Sequence, residues 1–75
     1  MDDMDRDRLE FAIFCVENVG LELNLSGAQV YELLTKKTSI LTDYIIPNFE
    51  TLHTQSKEYI VADIIEFMQS EGVLK

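Results

Sequence analysis

Histidine and cysteine occur once each, as His53 and Cys15, and the hydroxyls that follow the histidine are Thr54 and Ser56. A nucleophilic or general-base centre needs base, nucleophile and orienting group within reach of one another. A zinc centre needs three or four nitrogen, sulfur or oxygen ligands. One His and one Cys in separate segments assemble neither. Asp43, Asp63 and Glu66 are candidate acids for two-carboxylate glycosidic chemistry, but a chain with 14 Asp and Glu residues contains many such pairs. Glycines stand singly at 20, 27 and 72, so no loop cradles phosphate. No catalytic, metal-binding or cofactor-binding constellation can be drawn, and the expectation is that the protein is not an enzyme.

These residues are better explained as structural. His53 is expected as a ring hydrogen-bonded at the end of the third helical segment. Thr54 and Ser56 suit the turn and cap leading into the fourth. Asp63 follows Tyr59 by four residues among apolar neighbours, where a carboxylate needs a hydrogen-bond partner. His53 or a hydroxyl of the preceding loop is the expected donor. Cys15, inside Phe11-Ala12-Ile13-Phe14-Cys15-Val16, reads as a small buried apolar residue.

Four helical segments would position these groups. The first runs from about Asp5 to Val19, with Leu9, Ala12, Ile13 and Val16 in one stripe that Phe11, Phe14 and Cys15 widen nearly around the cylinder. So apolar a helix is expected at the centre of the core. Asp3, Asp5 and Asp7 lie at its start, where acids suit the dipole. Gly20 supplies a left-handed cap there, or Leu21 and Leu23 continue the helix; the pattern allows both. Ser26-Gly27-Ala28-Gln29 matches a capping box, and Leu25 with Val30 a hydrophobic staple, opening a second helix with Val30, Leu33 and Leu34 on one face, Tyr31 beside it, and Lys36 and Lys37 at its end. The third segment, about Ser39 to His53, carries Ile40, Leu41, Tyr44, Ile45, Phe49 and Leu52 at helical spacing. Pro47 should kink or break it near Ile46. The fourth, about Ser56 to Ser70, is expected to bury Ile60, Val61, Ile64, Ile65, Phe67 and Met68, with Gly72 at the left-handed position of a Schellman cap. No stretch alternates with period two. The reading is all-α: a compact bundle of about four helices forming one domain, residues 1–75.

The 75 residues carry a formal charge of −8, from 14 acidic and six basic side chains. That surface repels phosphate, and Arg6/Arg8 and Lys36/Lys37 are too small a basic set for a nucleic-acid footprint. A helix-turn-helix would have to use Ser39–His53 for recognition, a segment without Arg or Lys. Acidity also disfavours anionic membranes, and the longest apolar run is six residues, far short of a span. The acidic start lacks the basic region of a signal peptide, and one cysteine excludes an internal disulfide framework; together these give a cytoplasmic expectation. A domain this small buries only roughly 60–65% of its unfolded surface, so 47% apolar residues leave some side chains for another chain to cover.

The pattern Phe11-(x3)-Cys15-Val16-Glu17, Leu25-Ser26-Gly27-(x2)-Val30-Tyr31-Glu32-Leu33, Leu52-His53-Thr54 and Tyr59-Ile60-Val61-(x)-Asp63-Ile64 resembles the domain-of-unknown-function family numbered thirty-seven ninety-one. This family comprises short proteins of gut and other anaerobic bacteria. The likeness covers about residues 9–68, and its most specific part is the signature Leu52, His53, Thr54, Tyr59, Ile60, Val61, Asp63 and Ile64. Pro47 and the Gln55-Ser56 turn depart from the family pattern. The resemblance implies a small helical protein, often encoded beside a family similar to ADP-ribosyltransferase toxins, and hence an antitoxin-like or accessory role. The resulting expectation is a protein-interaction module without a cofactor. The alternatives are a homodimeric scaffold and, last, an acidic helix-turn-helix-like transcription-associated protein.

Overall fold

The computed structural model of the protein describes residues 3–74, with side chains for residues 6–74. The expected charge–dipole role of Asp3 and Asp5 therefore lies outside the described side chains. Helix α1 spans Asp3–Leu23, α2 Gly27–Thr35, α3 Phe49–Leu52 and α4 Lys57–Ser70, with a π-helical turn at Leu41–Ile45 between α2 and α3. Among the described residues there is no strand, and the fold is all-α.

Of the two ends open to the first helix, continuation is realised. Gly20 lies inside α1, and the left-handed residue is Asn24, at φ 60°. The Leu25 N–H closes the end by donating to the Gly20 carbonyl at 2.8 Å. Asparagine tolerates this backbone better than other side-chain-bearing residues. Gly20 is required for a different reason: a Cβ there would stand 2.7 Å from the Leu25 carbonyl oxygen, so the returning chain can cross α1 only over a bare Cα. The capping box then opens α2 as its sequence dictates. The Gln29 N–H donates to Ser26 Oγ at 3.1 Å, and the Ser26 N–H donates to Gln29 Oε1 at 2.9 Å.

Buried Thr38 joins α2 to the π turn by donating to the Leu33 carbonyl and accepting from the Ile40 N–H. Pro47 breaks the third segment as expected, and the π turn shows how. Pro47 has no N–H, and in an α-helix its ring would press on the carbonyl four residues back. The backbone widens, so that the Ile46 N–H reaches Leu41 rather than Thr42, at 3.0 Å. The Tyr44 carbonyl then accepts from both the backbone N–H and the side-chain amide of Asn48, which restarts the chain as α3. Ser56 caps α4 by accepting the Tyr59 N–H. The far end is a complete Schellman cap: Gly72 is at φ 77°, with Val73 N–H donating to Met68 and Gly72 N–H to Gln69.

One core is built from Phe11, Ala12, Cys15, Val16 and Val19 of α1, Val30 and Leu34 of α2, Ile40, Leu41, Ile45 and Leu52 of the broken segment, and Ile60, Val61, Ile64 and Met68 of α4. Two expectations need correction. Leu9 and Ile13, placed with Ala12 and Val16 in a single stripe, are 54% and 53% exposed, and Phe14 is also at the surface. The core lies on the side of α1 marked by Phe11, Cys15 and Val19, and no described element covers Leu9 and Ile13. On α4, Ile65 and Phe67 are only partly buried at the margin of the core.

Candidate interaction groove

Two of the exposed apolar residues of α1, Leu9 and Ile13, border one feature. An open groove of about 900 Å³ lies between α1, α2 and the π turn. Leu9 and Ile13 form its α1 wall and Tyr31 its α2 wall, while Leu41 and Ile46 close the side toward the π turn. Small residues, Ala12, Gly27 and Ala28, leave its floor low. The helical hairpin sets this geometry: Gly20 and Asn24 fold α2 back along α1, so Gly27 comes to lie beside Val16 and Glu17. Arg8 and Thr35 mark one end and Glu17 and Gly27 the other. The polar groups along the lining are a guanidinium, a carboxylate and the hydroxyls of Tyr31, Thr35 and Thr42. The groove offers contact surface for an apolar body with polar flanks. Two other depressions are smaller, about 260 Å³ between α1 and α4 beside exposed Leu21, and about 200 Å³ beside Asp63, Glu66 and Ser70.

The signature residues lie elsewhere and divide into three groups. Leu52, Ile60, Val61 and Ile64 belong to the core. Asp63 makes the one long-range side-chain hydrogen bond among those described: its Oδ2 accepts the hydroxyl of Tyr44, 19 residues earlier. The expected donors, His53 or a hydroxyl of the loop, are not the ones used. Tyr44 stands on the π turn, so this bond fastens the widened segment to α4, and its ring packs on Phe67 at 5.0 Å. The phenol pKa is pushed up to about 12, first by the hydrogen bond to Asp63, then by burial and by the negative charges that Asp63 and an ionised Tyr59 would present.

His53, Thr54 and Tyr59 are exposed. His53 ends α3, and its ring stacks on Phe49 at 4.6 Å in place of the expected ring hydrogen bond. Phe49 in turn meets Phe11 edge-on and lies under the Arg8 guanidinium at 6.0 Å, so the histidine is part of an aromatic patch. Thr54 donates to the Thr51 carbonyl in the turn, as its place before the cap suggests. Cys15 is fully buried and unpaired, and burial pushes its thiol up to about 12, where it behaves as an apolar side chain. Among the described residues no group of three or more His, Cys, Asp or Glu side chains is placed to hold a metal ion.

Over residues 10–71 the chain matches the family described as "Protein of unknown function (DUF3791)". It belongs to that family. Nothing among curated proteins or solved structures matches it. The match covers the signature and the groove residues other than Arg8 and Leu9. No described helix is long and apolar enough to cross a membrane.

Leu9, Ile13 and Tyr31 are legible in the sequence as helix-face residues but not as the walls of a groove. The signal for Leu9 and Ile13 was the width of the apolar arc on α1, which runs nearly around the helix.

Proposed function

We propose that this protein is a non-enzymatic interaction module of the bacterial cytoplasm that binds a partner protein in the α1–α2 groove. The observation that carries this reading is the concentration of exposed apolar side chains there: Leu9, Ile13 and Tyr31, each more than half exposed, around one groove. Contiguous apolar surface of this kind, rimmed by polar residues, marks association sites more often than idle surface. The partner best suited to the family likeness is a neighbouring-gene enzyme, held in an antitoxin-like or accessory complex. The mechanism is steric: the helical hairpin covers part of the partner, and the −8 charge speeds encounter with a basic surface.

The test is paired isolation from the native host at moderate salt, using the tagged wild-type protein and an Ile13→Ser/Tyr31→Ser variant whose thermal melt is unchanged. A stoichiometric partner retained by the wild type and lost from the variant supports the reading. Identical co-purifying proteins from both would remove the groove from the account. Sedimentation of the purified wild type as a dimer, disrupted by the same variant, would favour a homodimeric scaffold.

A further inference from the structure

Building on that interaction reading, we propose that the occupant of the groove is an amphipathic helix of the partner, with an apolar stripe flanked by lysine or arginine. The backbone of the groove favours a helical occupant. The groove walls are helices whose N–H and C=O groups are consumed internally, so an extended peptide would find no strand edge to pair with. Its own backbone groups would lie against apolar side chains without partners. A helix arrives with those bonds already made.

The shape of the groove also fits a helix. From Gly27 to Thr35 the α2 wall rises about 12 Å, about two helical turns. That length accepts apolar anchors at i, i+3 or i+4, and i+7 of a docked helix. The floor of Ala12, Gly27 and Ala28 lets its axis approach closely, between the ridges of Leu9 and Ile13 on one side and Tyr31 on the other.

The charge of the chain favours a cationic helix. Glu17 forms part of the groove; Glu10, one turn before Ile13, and Glu32, next to Tyr31, are both exposed. Arg8 stands at the opposite end, near the helix terminus that carries Lys36 and Lys37. Glu10, Glu17 and Glu32 are thus spread along the margins of the groove, where the basic flanks of an occupant would meet them. A second copy of this chain would bring another −8 to the same surface, whereas a cationic helix is drawn toward it. Charge thus selects a heterologous occupant over self-pairing.

Two synthetic helices of about 18 residues, about five turns, provide the test. Both carry leucines at i, i+3, i+4 and i+7 spacing; one has lysines beside the stripe and the other has glutamates at those positions. Binding to the full chain is followed by fluorescence anisotropy at low and physiological salt, with Ile13→Ser and Tyr31→Ser as separate variants and melts recorded for each. The lysine helix should bind at least about tenfold more tightly than the glutamate helix, about 1.4 kcal/mol. Its affinity should fall as salt rises, and each variant should weaken it by at least about tenfold without lowering the melting temperature. Equal binding of the two helices overturns the cationic occupant and leaves the interaction module standing. If neither binds, or the variants bind as the wild type does, the helix-in-groove proposal falls. The paired isolation then decides whether the interaction reading falls with it.

Discussion

Helix α1 presents apolar side chains in two directions, and they meet different surroundings. Phe11, Cys15 and Val19 turn toward α2 and α4 and are buried with Val30, Leu34, Ile60 and Ile64. Leu9 and Ile13 stand in water above a groove. The side chains are alike in chemistry; what differs is the length of chain available to cover them. On the α4 side, 14 residues of regular helix lie across α1, sealed by a serine cap at one end and a Schellman cap at the other. On the groove side, α2 has only nine residues, and the chain that follows spends Leu41–Ile45 on a π turn in place of a helix long enough to act as a lid. Burial stabilises by roughly 25 cal/mol per Å² of apolar surface, so an uncovered face contributes none of that stabilisation to the fold. One side of α1 thus stabilises the fold, and the other is the face on which the proposed recognition rests.

The sharpest break of that contrast is in the core. Ile64→Ala removes a fully buried side chain and should destabilise the fold by about 2–5 kcal/mol, read from urea unfolding followed by circular dichroism. A loss below about 1 kcal/mol would mean that the α4 side is as loosely packed as the groove. Next in size is Gly20→Ala. The new methyl meets a backbone oxygen that cannot rotate away, so the hairpin must shift at about 1–3 kcal/mol. Because the hairpin sets the groove, peptide affinity should fall in the same variant.

Tyr44→Phe should cost less, about 1–2 kcal/mol at neutral pH, since one hydrogen bond to a carboxylate is lost from a half-buried site. The same site gives the fold a pH dependence. The folded-state pKa of Tyr44 is raised from 10.0 to about 12, and that of Cys15 from 9.0 to about 12. Both groups hold their protons longer folded than unfolded. Their contribution is therefore fully present below about pH 9 and is lost as pH rises toward 12. Urea midpoints should hold from about pH 8 to 9 and fall as pH rises from there to 11. Cys15→Ala should flatten the first part of that fall and Tyr44→Phe the later part; an unchanged slope in both would assign the alkaline loss to other groups.

What could be read from the chain follows the range of the forces involved. Ser26 with Gln29 and Gly72 with Val73 act within one turn of their own helix ends, so their motifs carry the geometry with them. Pro47 announces a break because its missing donor is a property of one residue. The form of the break was not legible. The π turn is held partly by Tyr44 reaching Asp63 across 19 residues, a pairing that no local pattern encodes. His53 looked the nearer donor in sequence, but α3 ends in a turn that lays its ring on Phe49 instead. The groove was hidden for a related reason. Helical periodicity in Leu9, Ala12, Ile13 and Val16 defines a face, and whether that face is covered depends on the length of α2 and the path of the chain after Pro47.

The smallest expected effect on stability is the most informative about the groove. Ile13→Ser replaces an isoleucine of the same helix that carries buried Phe11 and Cys15, yet its side chain is 53% exposed. An exposed substitution away from caps and buried networks stays within about 0.5 kcal/mol. Tyr31→Ser, across the groove, should behave alike. Near-neutral melts from both, set against the loss expected for Ile64→Ala, would separate the two faces of α1 energetically as well as geometrically. A drop above about 1.5 kcal/mol for Ile13→Ser would place that side chain in a packed interior. The groove would then be closed in solution, either by movement of the π turn over α1 or by a second copy of the chain, and a concentration-dependent melting temperature would identify the second copy.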